Sequence, residues 1–237
     1  MADAREHLII ALDVSTAAAA QKIVAAVGES ASIYKVGKQL FTAAGPDIVR
    51  ELISSGKRVF LDLKFHDIPN TVSAAVREAS NLGATMLTVH ASGGSKMLRA
   101  AMEAAGAASR RPMVLAVTVL TSFTDEDVQE VGFSGRVVDQ VLRLAALAQG
   151  AGCNGVVTSP AEARHVRRAL GTGFAIVTPG VRPAGTAKDD QARVMTPAEA
   201  IAAGATHIVV GRPITAAANP ARTARAIVDE ITELTHV

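Results

Sequence analysis

Eight short apolar runs rich in β-branched residues recur along the chain with alanine-rich, helix-periodic stretches between them. This alternation restricts the fold more than any other feature of the sequence. The runs cover residues 8–14, 33–36, 59–63, 86–89, 114–120, 156–158, 175–177 and 208–210. Between them, stretches such as 16–27, 71–82, 96–107, 137–149 and 161–170 carry apolar residues at helical spacing, many closed by a glycine such as Gly28, Gly83 or Gly150. Strands that are apolar throughout, instead of alternating, belong in a parallel sheet buried on both faces. Eight strand–helix units in 237 residues point to a (β/α)8 TIM barrel, whose usual length is about 250 residues. One α/β barrel domain over 1–237 is therefore expected, because no linker, low-complexity tract or charge block marks a second. A doubly wound sheet also alternates strands with helices. Its dinucleotide fingerprint is missing, since the first strand leads into Asp13-Val14-Ser15-Thr16 and not Gly-x-Gly-x-x-Gly.

Charge and composition narrow the function classes. Lys plus Arg number 24 against 22 Asp plus Glu, and a net charge of +2 gives no broad footprint for nucleic acid or an anionic membrane. Any anion must be bound locally. No apolar run approaches the roughly 20 residues of a membrane-spanning helix, and the charged start of the chain has no signal-peptide pattern, so a cytoplasmic protein is expected. Trp is absent and aromatics are 3%, which disfavours base-stacking platforms. Cys153, the single cysteine, cannot form an intrachain disulfide and reads as a small buried apolar residue.

In a barrel of this kind, chemistry gathers where strands end at the C-terminal face. Polar residues fall at those positions: Asp13 after the first strand, Lys35 in the second, Asp62-Leu63-Lys64-Phe65-His66-Asp67 at the end of the third, His90 after the fourth, and Thr121-Ser122 after the fifth. Strand alternation puts Asp62 and Lys64 on one face and Leu61 and Leu63 on the other. An isolated Asp-x-Lys would read as a structural ion pair, but further charged strand ends favour a functional cluster. Nearby carboxylates favour the ammonium form of a lysine, which makes it a poor Schiff-base former and a suitable stabiliser of, and proton donor to, a developing carbanion. Metal ligation by His66 and His90 with Asp62 and Asp67 is the competing reading, although no His-Glu-x-x-His or other dense ligand spacing accompanies it.

The last quarter of the chain carries an anion signal. The seventh and eighth strands run into Thr178-Pro179-Gly180-Val181-Arg182-Pro183 and Gly211-Arg212-Pro213. The loops after these strands frequently form a phosphate site in barrels, with glycine N–H groups meeting the anion and Arg212 placed to add a bidentate contact. Between them, the polar loop 182–195, with Gly185, Lys188 and Gln191, has the length and composition of a lid.

The segment Asp62-Leu63-Lys64-Phe65-His66-Asp67-Ile68-Pro69-Asn70-Thr71 resembles the signature of the orotidine 5′-phosphate decarboxylase family. Ala11-Leu12-Asp13, Tyr34-Lys35-Val36-Gly37, Val89-His90-Ala91-Ser92-Gly93-Gly94, the stretch from Val117 to Ser122, and the two glycine-arginine loop motifs match the family in order. The resemblance covers essentially the whole chain. It implies a homodimeric barrel, free of cofactor and metal, that converts orotidine 5′-monophosphate to uridine 5′-monophosphate (UMP) and CO2 in the last step of de novo pyrimidine synthesis. By the same resemblance, Lys64 donates the proton to pyrimidine C6 within a charged chain of Lys35, Asp62 and Asp67. Asp67, Ile68 and Thr71 reach into the partner subunit's site. Asp13 and Lys35 hold ribose hydroxyls, Thr121 the pyrimidine edge, and Arg182, Gln191, Gly211 and Arg212 the lid and phosphate. The alternatives are a Mg2+-dependent sugar-phosphate decarboxylase or aldolase of the same barrel superfamily, and a non-catalytic phosphate-ligand sensor, since fold alone does not fix function.

Overall fold

A computed structural model describes residues 3–183 and 195–235. Each apolar run becomes a strand: β1 Leu8–Ala11, β2 Ile33–Gly37, β3 Arg58–Phe65, β4 Met86–His90, β5 Met113–Val117, β6 Gly155–Val157, β7 Ala175–Pro179 and β8 His207–Val210. They close in chain order into one all-parallel barrel, with β1 pairing β8. After β1 comes the helix α1 (Ala17–Val27), after β2 come α2 (Lys38–Ala44) and α3 (Asp47–Ser54), after β3 comes α4 (Pro69–Asn81), and after β4 comes α5 (Gly94–Gly106). The β5 crossover holds α6 (Asp125–Glu130) and α7 (Val137–Gly150), and α8 (Pro160–Leu170) follows β6. Then α9 (Pro197–Ala202) lies between β7 and β8, and α10 (Arg212–Thr215) and α11 (Pro220–Thr235) follow β8.

The period of two in each strand sorts its residues into two apolar layers. Ile9, Ile33, Phe60, Leu115, Val157, Val177 and Val209 pack together inside the barrel. Their neighbours Leu8, Ile10, Tyr34, Leu61, Val114, Ile176 and Ile208 join the outer core, together with Val24 of α1, Leu52 of α3, Val76 of α4, Leu144 of α7 and Ile227 of α11. Burial on both faces is what the unbroken apolar runs imply.

The first and fifth runs overshoot their strands, because the chain bends away at the barrel rim. Leu12 still donates its N–H to the Lys35 carbonyl at 3.0 Å, but Asp13 and Val14 have left the ladder. Thr16 accepts from the Ala19 N–H at 3.1 Å and starts α1. The expected stop at Gly150 shifts: Gly150 is the last residue of α7, and Gly152, at φ +87°, makes the left-handed turn that any side chain would strain. Spacing also missed α6. Its signal was legible at Thr124 and Asp127, which form a reciprocal capping box through N–H bonds of 2.7 and 3.3 Å.

The N-terminal end of the barrel is closed by structural contacts. Arg58 donates to both carboxylate oxygens of Glu6 at 2.5 Å and to Ser32 at 2.7 Å. The open end is the other one, where the polar strand ends gather.

Candidate active site

A cavity of about 470 Å³ opens at the C-terminal rim, within the roughly 300–1,000 Å³ of small-molecule sites. Ala11, Phe60, Val117, Val157 and Val209 line it, and Asp13, Lys35, Asp62, Lys64, Thr121, Arg182, Gly211 and Arg212 bring polar groups to it. The polar residues are the next inward-facing layer above the apolar interior. On β2, Ile33 lies inside the barrel and Lys35 follows two residues later; on β3, Phe60 is followed by Asp62.

Four of these side chains form a row of alternating charge from the loop after β1 across β2 and β3. Lys35 Nζ donates to Asp13 Oδ1 at 2.8 Å and stands 3.8 Å from Asp62 Oδ2. Lys64 Nζ donates to both oxygens of Asp62, at 2.7 and 2.8 Å. Gly37 makes room for the row, since a Cβ there would lie 2.9 Å from Lys35 Nζ and 3.2 Å from Asp13 Oδ1. Burial of Asp62 works against its ionised form. The ammoniums of Lys64 and Lys35 and the hydrogen bonds from Lys64 and Thr88 outweigh it and hold the carboxyl below its ordinary value. At the centre of the row the buried Asp62 carboxylate thus lies between two ammoniums, with Asp13 on the far side of Lys35.

Simple alternation places Asp62 and Lys64 on one face, and they do meet, but the backbone between them departs from a regular strand. The β3–β4 register runs Leu61↔Leu87 and then Phe65↔Val89, so four steps on β3 cover two on β4. This bulge leaves Lys64 at φ +54°, the one left-handed residue other than glycine among the described residues. Bulges re-aim side chains beside active sites, and a non-glycine residue in this conformation stores strain that its surroundings must hold. The surroundings supply Thr88, which sequence reasoning passed over as an ordinary strand threonine. It is fully buried, its Oγ1 accepts the Lys64 N–H at 2.9 Å, and it donates to Asp62 Oδ1 at 2.9 Å.

Asp67, Ile68 and Thr71 lie elsewhere. None lines the cavity, all are exposed, and Ile68 is 67% exposed at the start of α4. Asp67 Oδ1 accepts the Ile68 N–H at 2.6 Å. His66 and His90 stand side by side, with ring centroids 5.4 Å apart. Burial, then the positive neighbours His66, Lys64 and Lys38, push His90 down to about 4. Among the described residues, no three His, Cys, Asp or Glu side chains are grouped so as to hold a metal ion. Cys153 is buried with its thiol pushed up to about 12, so it is not a thiolate at neutral pH.

At the opposite side of the sequence, Gly180, Val181 and Arg182 after β7 and Gly211, Arg212 and Pro213 after β8 border the same cavity. Arg182 is buried, and its N–H donates to the Met195 carbonyl at 3.0 Å. Together with the Val181–Met195 bridge, this pins the two ends of the expected lid beside one another. Gln191 and the rest of 184–194 lie outside the described residues.

A closed parallel (β/α)8 barrel with a lysine–carboxylate row in a rim cavity, bordered by the loops after β7 and β8, has the form of a barrel enzyme with its site at the C-terminal face. Known proteins place it further. A family model described as the orotidine 5′-phosphate decarboxylase / HUMPS family matches residues 6–227. The chain is 54% identical over 237 residues to an orotidine 5′-phosphate decarboxylase of Heliobacterium modesticaldum, covering 98% of each. It is 53% identical over 225 residues to that of Halorhodospira halophila, covering 95% of each. A crystal structure of orotidine 5′-phosphate decarboxylase from Lactobacillus acidophilus superposes with a TM-score of 0.86 at 39% identity, over 95% of this chain and 99% of that one. The chain belongs to the orotidine 5′-phosphate decarboxylase / HUMPS family.

Proposed function

We propose that this protein is a carboxy-lyase that converts orotidine 5′-monophosphate to UMP and CO2, closing de novo pyrimidine nucleotide synthesis. The observation that carries this reading is the Lys64 ammonium, held on Asp62 by two short hydrogen bonds and facing the same cavity as Gly211 and Arg212. Near full-length similarity to proteins of that name supports it.

The bound nucleotide places its phosphate at Gly180, Gly211 and Arg212, with Arg182 beside them; a phosphate role for Gln191 rests on the family resemblance alone. Asp13 and Lys35 hold the ribose hydroxyls, and Thr121 meets the pyrimidine edge. C6 then faces Lys64. The bond from C6 to its carboxylate breaks with the electron pair left on C6, CO2 departs, and an Nζ proton of Lys64 passes to C6. The neutral amine regains its proton from solvent. A preorganised ammonium acts most strongly on charge that develops during the reaction. Asp62, close to the departing carboxylate, disfavours the bound ground state, and phosphate binding far from C6 offsets that cost.

In this reading the enzyme is a cytoplasmic homodimer. The exposure of Asp67, Ile68 and Thr71 outside their own cavity supports their service in the cavity of a second copy. The Lys35 ammonium between Asp13 and Asp62 favours decarboxylation without metal over the Mg2+-dependent alternative, because a cation already fills the gap between those carboxylates. The test is loss of orotidine 5′-monophosphate absorbance with purified protein in excess EDTA. Full activity is expected. Binding of UMP without turnover would instead assign a sensor, and turnover of a sugar phosphate that EDTA abolishes and Mg2+ restores would assign the other branch of the superfamily.

A further inference from the structure

The reaction as proposed needs Lys64 Nζ fixed on Asp62, yet Lys64 sits in a bulge with a left-handed backbone that a lysine does not adopt unaided. The bulge also removes the Lys64 N–H from the β3–β4 ladder at a part-buried position. An unpaired N–H there would destabilise the conformation. Thr88, on the facing strand β4, meets both needs with one atom. Its hydroxyl oxygen accepts the Lys64 N–H at 2.9 Å while its proton goes to Asp62 Oδ1 at 2.9 Å. A hydroxyl can donate one bond and accept others at the same time, which a purely apolar or purely donating side chain at position 88 could not do.

We propose that Thr88 is a positioning residue for decarboxylation: its hydroxyl locks the strained Lys64 backbone to the Asp62 carboxylate, and so fixes the ammonium against C6. This inference rests on the decarboxylase reading. Thr88 does not line the cavity, and it acts only through Lys64 and Asp62. Its removal should therefore spare substrate binding and slow the chemical step. Loss of a donor to the carboxylate should also make Asp62 easier to protonate. The other groups facing Asp62 are Lys64 on its own strand, Lys35 from β2 and His90 from β4, with Asp13 engaged by Lys35. None of them replaces the lost hydroxyl.

The experiment compares wild type with Thr88→Val, Thr88→Ser and Thr88→Ala, measuring kcat and KM for orotidine 5′-monophosphate, UMP affinity and the pH dependence of kcat. Thr88→Val keeps the shape and removes the hydroxyl; Ser and Ala variants differ by the hydroxyl alone. Removing one hydrogen bond to a charged group predicts that Thr88→Val and Thr88→Ala lose about 10–100-fold in kcat. KM and UMP affinity should stay within about threefold, and the acid limb of kcat should move to higher pH. Thr88→Ser should remain within about fivefold of wild type, since it retains the bonding atom. Thr88→Val as active as Thr88→Ser, Thr88→Ser as impaired as Thr88→Ala, or losses carried by KM and UMP affinity would each overturn the proposal. If Thr88→Val does not fold, the Ser and Ala pair decides by the same criteria. Wild type without turnover would overturn the decarboxylase reading itself, and this inference with it.

Discussion

The left-handed backbone at Lys64 has a stability consequence that can be separated from its charge. Lys64→Ala and Lys64→Gly both remove the ammonium, and both leave Asp62 with Lys35 and Thr88, so their difference reports the backbone alone. The φ of +54° is hostile to any residue with a Cβ. A left-handed conformation costs alanine about 1–2 kcal/mol, and the greater freedom of glycine in the unfolded chain offsets about 0.5–1 kcal/mol of that. Lys64→Gly should therefore be more stable than Lys64→Ala by ~0.5–1 kcal/mol. For a domain of this size, that corresponds to a melting temperature higher by about 1–4 °C. The assay is thermal unfolding of the two variants side by side, followed by circular dichroism, at one protein concentration so that any dimerisation contributes equally. Both variants should be inactive, which shows that relieving the strain does not recover function. Lys64→Ala melting at or above Lys64→Gly would show that residue 64 is not held in the left-handed region.

Three further outcomes follow from other parts of the molecule. Arg212→Ala should raise KM strongly for the nucleotide and hardly change turnover of the phosphate-free nucleoside, which has nothing for that arginine to hold; equal losses on both substrates would place its role elsewhere. Lys64→Ala and Asp67→Ala, unfolded together in equal amounts and refolded, should recover about a quarter of wild-type activity if each site takes one residue from each subunit. A mixture as inactive as its parents, with subunit exchange verified by a tag, would contradict the shared site. Burial, then the positive neighbours His7 and Arg58, lower His207 from 6.5 to about 4 against a smaller pull from Glu6. As pH falls the unfolded chain takes up this proton first, so stability present above pH 6.5 declines between 6.5 and 4. His207→Gln should flatten the melting-temperature profile over that window, and an unchanged slope would count against a half-buried neutral His207.

The barrel was legible because its strands are short, apolar on both faces and separated by helix-periodic stretches, and only a parallel sheet covered on both sides uses such strands eight times. Strand ends were less legible, since the apolar character of Val14 and Val119 continues past the point where the chain turns off the rim. The charged row was legible as a set of residue types at strand ends, and Asp13, Lys35, Asp62 and Lys64 do share the cavity. How they meet was not legible. Alternation reads Asp62-Leu63-Lys64 as a plain strand, whereas the β3–β4 register gains two residues there and turns Lys64 left-handed. That depends on a partner strand 24 residues away in the chain, through Thr88, which in one dimension is only a β-branched residue in a β-strand. The placement of Asp67, Ile68 and Thr71 away from their own cavity carried no sequence signal of its own; the family resemblance implied only a role for them in the partner subunit's site.

If the Lys64 ammonium stabilises and protonates C6 as CO2 leaves, the kinetics of Lys64→Ala beside wild type must show it, with UMP affinity measured on both. A group needed mainly in the transition state predicts that kcat falls by at least ~10⁴-fold while UMP binding stays within about tenfold. Activity retained within about a hundredfold, with the variant folded and binding UMP, would remove Lys64 from its role as stabiliser and proton donor.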